Sequence, residues 1–165
     1  MKTSSFDRLA HATDAKGFIA LCIFLRFAMA ILLLNAAWSK LSLPNWSAAG
    51  YLTHASGPLE LWFQSMAGSE FVDGLVMYGQ LLIGLAFLSG LFIKPAAFFN
   101  IIMMLLFYVS GWTMNTSHGF VDEHIIYALV SGLFLFGEFG HWFGLDYFVS
   151  RLKFVQSRSW LLKLF

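Results

Sequence analysis

Residues 17–41 read GFIALCIFLRFAMAILLLNAAWSKL and form a long apolar run that contains Arg26 and Asn35 and ends near Lys40. A helix that crosses the hydrocarbon of a bilayer needs about 20 mostly apolar residues. The apolar region of a cleaved secretory signal is only about 7–15 residues long. We therefore interpret this run as a retained membrane span.

Three further apolar runs, at 72–93, 95–114 and 122–143, are also long enough to span a bilayer. None of them shows the period-two alternation of a barrel strand, and helices are the other structure that satisfies its own backbone in lipid. The chain is 59% hydrophobic and only 12% charged, against about a quarter charged in soluble domains. The sequence therefore predicts an all-α membrane protein, a four-transmembrane-helix bundle formed by residues 1–165 as a single membrane domain.

Two segments outside these spans are also apolar. Residues 44–70 are too long for a tight turn and too apolar for a free loop, which predicts short extracytoplasmic helices between the first two spans. Residues 147–165 mix aromatic and basic residues, which predicts a C-terminal amphipathic helix at the membrane interface.

The placement of basic residues predicts the orientation of the spans. Lysine and arginine accumulate on the cytoplasmic side of membrane proteins. Lys40 alone falls on one side of the four predicted spans, and Arg26 lies inside the first. On the other side lie Lys2, Arg8, Lys16, Lys94, Arg151, Lys153, Arg158 and Lys163. The protein is predicted to lie in the inner membrane, with both termini on the cytoplasmic side. A net charge of +1 offers no basic surface for nucleic acid.

Arg26 is the ionisable residue placed deepest in a predicted span, about 14 Å beyond Gly17 along a helix. A charge at that depth faces the bundle interior and needs a partner. Glu138 in the fourth span is the best internal candidate, so one interpretation is a structural ion pair of Arg26 with Glu138. The alternative is that Arg26 binds a polar or anionic ligand inside the bundle.

Other polar residues fall on shared helix faces. Lys40 lies on the face of Arg26, and His124 and Tyr127 share one face of the fourth span, while Gln80 lies in the second. These residues predict a polar seam, although interhelical hydrogen bonds explain the pattern equally well. No haem or metal is predicted, because only His124 lies at the start of a span and His141 lies at the opposite end of the same span.

The order of several short motifs resembles the DoxX/DoxD family of small four-helix membrane proteins. After Arg26 the matching stretches are WSKL at 38–41, GQLLIGL at 79–85, SGL at 89–91, KPAA at 94–97 and FGLD at 143–146. The DoxD branch is the membrane subunit of a thiosulfate:quinone oxidoreductase. The resemblance implies that Arg26 and Lys40 occupy the basic positions of the first span. Gln80 stands where family members frequently carry glutamate, which argues against a proton relay at this position.

The resemblance implies a membrane subunit linked to quinone-dependent electron transfer, with oxidation of a small sulfur oxyanion as the more specific form. Quinone is the expected cofactor, with Arg26, Lys40, Gln80, His124 and Tyr127 as candidate quinone-binding or anion-binding residues. The alternative function is a non-catalytic accessory subunit of a larger respiratory or photosynthetic membrane complex. The expected partners are the lipid bilayer and other membrane subunits or further copies of the chain. The sequence leaves open whether the chain is itself an enzyme.

Overall fold

The computed structural model describes residues 5–117, 119–137, 139–158 and 161, with side chains described from Lys16 onward. Four helices make up most of it: α1 (Ser5–Leu41), α4 (Glu70–Ser89), α5 (Ile93–Ser110) and α7 (Glu123–Phe136). The short helices are α2 (Ala49–Leu52), α3 (Glu60–Ser65), α6 (Trp112–Asn115), α8 (Asp146–Val149) and α9 (Lys153–Gln156). The predicted all-α class is confirmed for the described residues.

The four long helices pack as two pairs. Helix α1 lies along α4, α5 lies along α7, and contacts between α4 and α5 join the pairs. The two pairs share one apolar core, in which Phe87 of α4 meets Phe134 of α7 edge to face at 5.2 Å between ring centroids. We call the end of the bundle that carries residues 90–92 and 139–146 the turn end. The opposite end, which carries residues 42–69, is the loop end.

The outer surface of the bundle is apolar. Phe24, Phe71 and Phe136 are 75%, 77% and 88% exposed, although aromatic side chains of a soluble domain are mostly buried. Among the described residues, three helical stretches are long and apolar enough to cross a membrane, namely Lys16–Leu41, Glu70–Ser89 and Ile93–Ser110. The shorter α7 is also apolar. The protein is therefore a membrane protein with several apolar helices.

The loop end is covered by the segment between α1 and α4, where short helices were expected and where α2 and α3 lie. Leu52 and Phe63, one from each helix, belong to a small second core. Asp73 at the start of α4 accepts a 2.7 Å hydrogen bond from the Ala48 N–H. The Ser56 N–H donates to the Ser110 carbonyl at 3.1 Å. These bonds hold the segment against α4 and α5.

The ends of the helices differ from the predicted spans at several points. Helix α1 continues back to Ser5, through residues that were expected to precede the span. Helix α4 ends at Ser89 because Gly90 adopts a left-handed conformation, with φ +68°. Helix α7 ends at Phe136 rather than near 143. The predicted C-terminal helix is broken into α8 and α9, because Leu152 between them has an extended backbone with ψ +133°. Residues 159–160 and 162–165 of that predicted tail lie outside the described residues.

Candidate functional site

Arg26 is bound by backbone carbonyls at the turn end. Its side chain is 1% exposed, and its Nη1 donates to the Phe139 carbonyl at 2.7 Å and to the Trp142 carbonyl at 3.0 Å. Its Nη2 donates to the Phe143 carbonyl at 2.7 Å. These carbonyls follow the last turn of α7, where the helix dipole and the unpaired carbonyls favour a cation. The partners observed for Arg26 are thus main-chain oxygens. The expected partner Glu138 lies outside the described residues.

Asp146 is a second buried charged residue at the turn end, and it binds the start of α5. Its carboxylate is buried and accepts hydrogen bonds from the N–H groups of Phe92 at 2.7 Å and Ile93 at 3.3 Å, at the start of α5. Burial raises the pKa of Asp146, and the two backbone hydrogen bonds and the nearby charges of His141 and Lys94 oppose that rise. Asp146 therefore caps α5 from a segment 53 residues further along the chain.

Glycines make this close approach possible. A Cβ atom on Gly140 would overlap the Asp146 carboxylate, and one on Gly144 would overlap backbone atoms of Gly140 and Gly90. The two segments are also joined by main-chain hydrogen bonds. The N–H of Leu145 donates to the Ser89 carbonyl, and the N–H of Asp146 donates to the Gly90 carbonyl. The glycine spacing near the end of α7 thus serves packing within the chain.

Two further polar side chains are buried in the interior, Asn100 on α5 and Gln80 on α4. Asn100 is fully buried, and its Nδ2 donates to the Ser131 hydroxyl at 2.7 Å, which donates in turn to the Tyr127 carbonyl at 2.9 Å. Gln80 lies on the buried face of α4 with Ile83 and Phe87. Among the described residues, Gln80 Oε1 and Asn100 Oδ1 are buried oxygens with no hydrogen-bond partner. Such acceptors are uncommon in an apolar interior, where an unpaired polar atom is costly.

Lys40 lies at the loop end, one residue before the end of α1. Its Nζ donates to the Ala36 carbonyl at 2.9 Å and sits 5.5 Å from the centroid of the Trp46 ring. Arg26 and Lys40 share a face of α1, but 14 residues separate them by about 21 Å along the helix. One small ligand cannot contact both cations.

His124 and Tyr127 lie in the first turns of α7, near the loop end. His124 Nδ1 is 2.7 Å from Asp122 Oδ2, and its ring meets Phe107 edge to face at 6.0 Å. The other Asp122 oxygen caps α7 by accepting from the Ile125 N–H at 3.0 Å. Tyr127 is half-buried against the core. The structure therefore separates Arg26 at the turn end from Lys40 and His124 near the loop end.

Sequence reasoning missed two members of these groups. Asp146 entered only as part of the FGLD motif, and Asn100 was not among the candidate site residues. The signal for Asp146 was the run of glycines at 137, 140 and 144, which marks a helix end and close backbone approach. The signal for Asn100 was an amide in the middle of an apolar span, where polar residues face the bundle interior.

The apolar exterior, the helical pairs and the buried polar groups define a helical integral membrane protein. A family model described as DoxX matches residues 21–113, which is more than half of the chain. The chain belongs to the DoxX family. The matched region contains Arg26, Lys40, Gln80 and Asn100 and ends before α7. No curated protein and no solved structure gives a significant match.

Proposed function

We propose that this chain is an integral subunit of the inner membrane that takes part in quinone-dependent electron transfer. It crosses the bilayer four times, with both termini in the cytoplasm. The distribution of charge supports this orientation: Lys94, Arg151 and Lys153 lie at the turn end, whereas Lys40 lies at the loop end. Lys16 at the start of the first apolar stretch adds to the basic charge of the turn end.

The bonds of Arg26 support a fourth crossing by α7. Fourteen helical residues extend about 21 Å, which is less than the roughly 30 Å of hydrocarbon in a bilayer. The described residues that follow α7 towards the turn end, 137 and 139–145, are not helical, so their carbonyls have no partner in the helix. Backbone carbonyls in lipid need hydrogen bonds, and Arg26 supplies them to Phe139, Trp142 and Phe143. Arg26 and a short helix together complete the span.

The two unpartnered amide oxygens of Gln80 and Asn100 carry the proposal of a quinone site. Both lie on the inward faces of adjacent helices, in an otherwise apolar core. The reduced form of a quinone carries two hydroxyl donors on an apolar ring, and these would satisfy two such acceptors. The two acceptors therefore match the hydrogen-bonding groups of a quinol. Tyr127, from the candidate set, lies beside this group because its carbonyl accepts from Ser131.

Lys40 and His124 are then assigned to the loop end of the same protein. A lysine at a mouth of the bundle attracts anions, so Lys40 would anchor a small sulfur oxyanion that serves as electron donor. Arg26 is assigned to the fold, because both of its terminal nitrogens bind carbonyls of its own chain. Quinone supplies the electron-accepting chemistry when bound, and the chain positions its ring and excludes water.

Quinol binding provides the test. The protein is placed in lipid nanodiscs, and a short-chain benzoquinol is titrated while tryptophan fluorescence is recorded. We expect saturable binding, weakened about five- to tenfold by Gln80→Leu or Asn100→Leu, because each change removes one hydrogen bond of about 1–1.5 kcal/mol. Gln156→Leu, an exposed glutamine on α9, is the matched control and leaves binding unchanged. Absence of saturable binding by the unmodified protein contradicts the proposal.

A non-catalytic accessory subunit is the second candidate function. The observation that favours it is the engagement of Arg26, the buried cation of the bundle, by its own backbone rather than by a ligand. On this proposal the chain migrates with a large assembly when native membranes are solubilised in mild detergent and separated on a native gel. Migration only as a single chain or a small homo-oligomer argues against it.

A further inference from the structure

A groove of about 460 Å³ opens at the turn end, beside the site of Arg26. Its walls include the aromatic rings of Phe143, Tyr147 and Phe148 and the polar side chains of Ser89 and His141. Its lining is mainly apolar, and its size falls in the range of small-molecule sites. Phe143 and Phe148 are 80% and 66% exposed, so the groove is open on its aromatic side.

One edge of the groove is cationic. The Arg151 guanidinium carbon lies 3.8 Å from the centroid of the Tyr147 ring, and Arg151 is exposed. The neighbouring Ser150 hydroxyl lies 3.3 Å from His141 Nε2. Within the described part of the chain, Arg151 forms no ion pair, and the nearby Asp146 carboxylate is turned inward to the start of α5. The edge therefore presents positive charge to the outside.

The groove lies at the turn end of the bundle, beside the end of α4. Ser89, which lines it, is the last residue of α4, and the Leu145 N–H holds the groove segment to the Ser89 carbonyl. Apolar walls and a cation just beyond them match the two parts of a phospholipid.

We propose that this groove binds an anionic phospholipid, with its phosphate at Arg151 and His141 and an acyl chain along Phe143 and Phe148. Guanidinium groups bind phosphate oxygens through paired hydrogen bonds, and basic residues beside a span attract anionic lipid. Free phosphate would leave the aromatic walls without a partner. Phe143 has φ +55°, a conformation that most side chains avoid, and its carbonyl is held by Arg26. Arg26 therefore fixes the aromatic rim of the groove.

Lipid retention tests this site. The chain is reconstituted in nanodiscs that contain equal amounts of phosphatidylglycerol and phosphatidylcholine, then moved to detergent, and the bound lipids are counted by native mass spectrometry. We expect about five times as much bound phosphatidylglycerol as bound phosphatidylcholine. This ratio corresponds to the roughly 1 kcal/mol that one basic residue near an anionic lipid surface contributes. Arg151→Gln removes this preference. Arg158→Gln is the matched control, because Arg158 stacks on Phe154 at 4.8 Å, outside the groove, whereas Arg151 stacks on Tyr147, which lines it.

A second variant separates the groove from general surface charge. Phe143→Gly leaves the backbone free to keep its left-handed conformation, so the thermal midpoint is unchanged or higher, while retention of phosphatidylglycerol falls. Equal retention of both lipids, or equal losses from Arg151→Gln and Arg158→Gln, overturns the proposal. If inorganic phosphate alone displaces the lipid, the proposal that an acyl chain lies along the groove is overturned. If a quinone is bound in place of the lipid, the groove belongs to another ligand and the proposal is overturned as a whole.

Discussion

Replacement of Arg26 by leucine is expected to lower the free energy of unfolding by about 3–5 kcal/mol. The substitution removes the donors to three carbonyls, those of Phe139, Trp142 and Phe143, in a region shielded from water. Each buried acceptor that loses its partner costs about 1–3 kcal/mol, partly offset because leucine is easier to bury than a cation. Reversible unfolding in mixed micelles, followed by far-ultraviolet circular dichroism, measures the change.

Lys40→Leu is the matched control for this experiment. Lys40 is the other cation in the apolar part of α1. Its contacts in the described part of the chain are one hydrogen bond to the Ala36 carbonyl of its own helix and the Trp46 ring at 5.5 Å, so its loss is expected to cost only about 1 kcal/mol. Arg26→Lys is expected to fall between the two, because an ammonium lacks the planar fork that reaches carbonyls on two sides. Equal losses from Arg26→Leu and Lys40→Leu would contradict the carbonyl-binding role.

Asp146→Ala is expected to destabilise the protein by about 2–4 kcal/mol. The change leaves the N–H groups of Phe92 and Ile93 without acceptors and opens a small void against Gly140. Asp146→Asn keeps one carbonyl oxygen and nearly the same volume, so its loss is expected to be smaller. Unfolding of both variants in the same micelles tests the order, and an asparagine variant less stable than the alanine variant would argue against the capping role.

The pH dependence of Asp146 gives a second readout. Because burial raises its pKa above the ordinary value of 3.8, the folded protein binds this proton more tightly than the unfolded chain. Its contribution to stability is therefore full below about pH 3.8 and declines as the pH rises through the raised value. The difference in the free energy of unfolding between the unmodified protein and Asp146→Asn should become smaller as the pH rises through this range. An advantage that grows with pH would contradict the direction of the shift.

The sequence predicted most of the fold because its spans are simple in composition. The runs at 72–93 and 95–114 correspond to α4 and α5, since apolar length is a local signal, although each helix begins two residues earlier and ends four residues earlier than its run. Helix α7 ends at Phe136, seven residues before the predicted end of the fourth span. Gly137 is the only local sequence signal for a helix end at Phe136. Arg26, which donates hydrogen bonds to the carbonyls beyond this end, lies more than a hundred residues earlier in the chain.

The candidate site was predicted less well, for a related physical reason. A buried arginine was expected to seek a carboxylate, and the sequence cannot show that main-chain carbonyls are exposed by an early helix end. Helical spacing placed Arg26 and Lys40 on one face of α1, yet a face is about 39 Å long in a 26-residue stretch, so a shared face is not a shared site. The Asn100 and Ser131 contact needed the register of α5 against α7, which no single segment encodes.

The bonds of Arg26 also have a consequence for synthesis. Ribosomes deliver a membrane protein from its N-terminus, and the acceptors of Arg26 follow it by 113–117 residues. Until those residues emerge, a newly inserted first helix carries an uncompensated guanidinium at lipid depth, which is energetically costly. We therefore expect the nascent chain to stay close to the translocon, or to hold its first helix near one leaflet, until the residues after α7 supply these carbonyls.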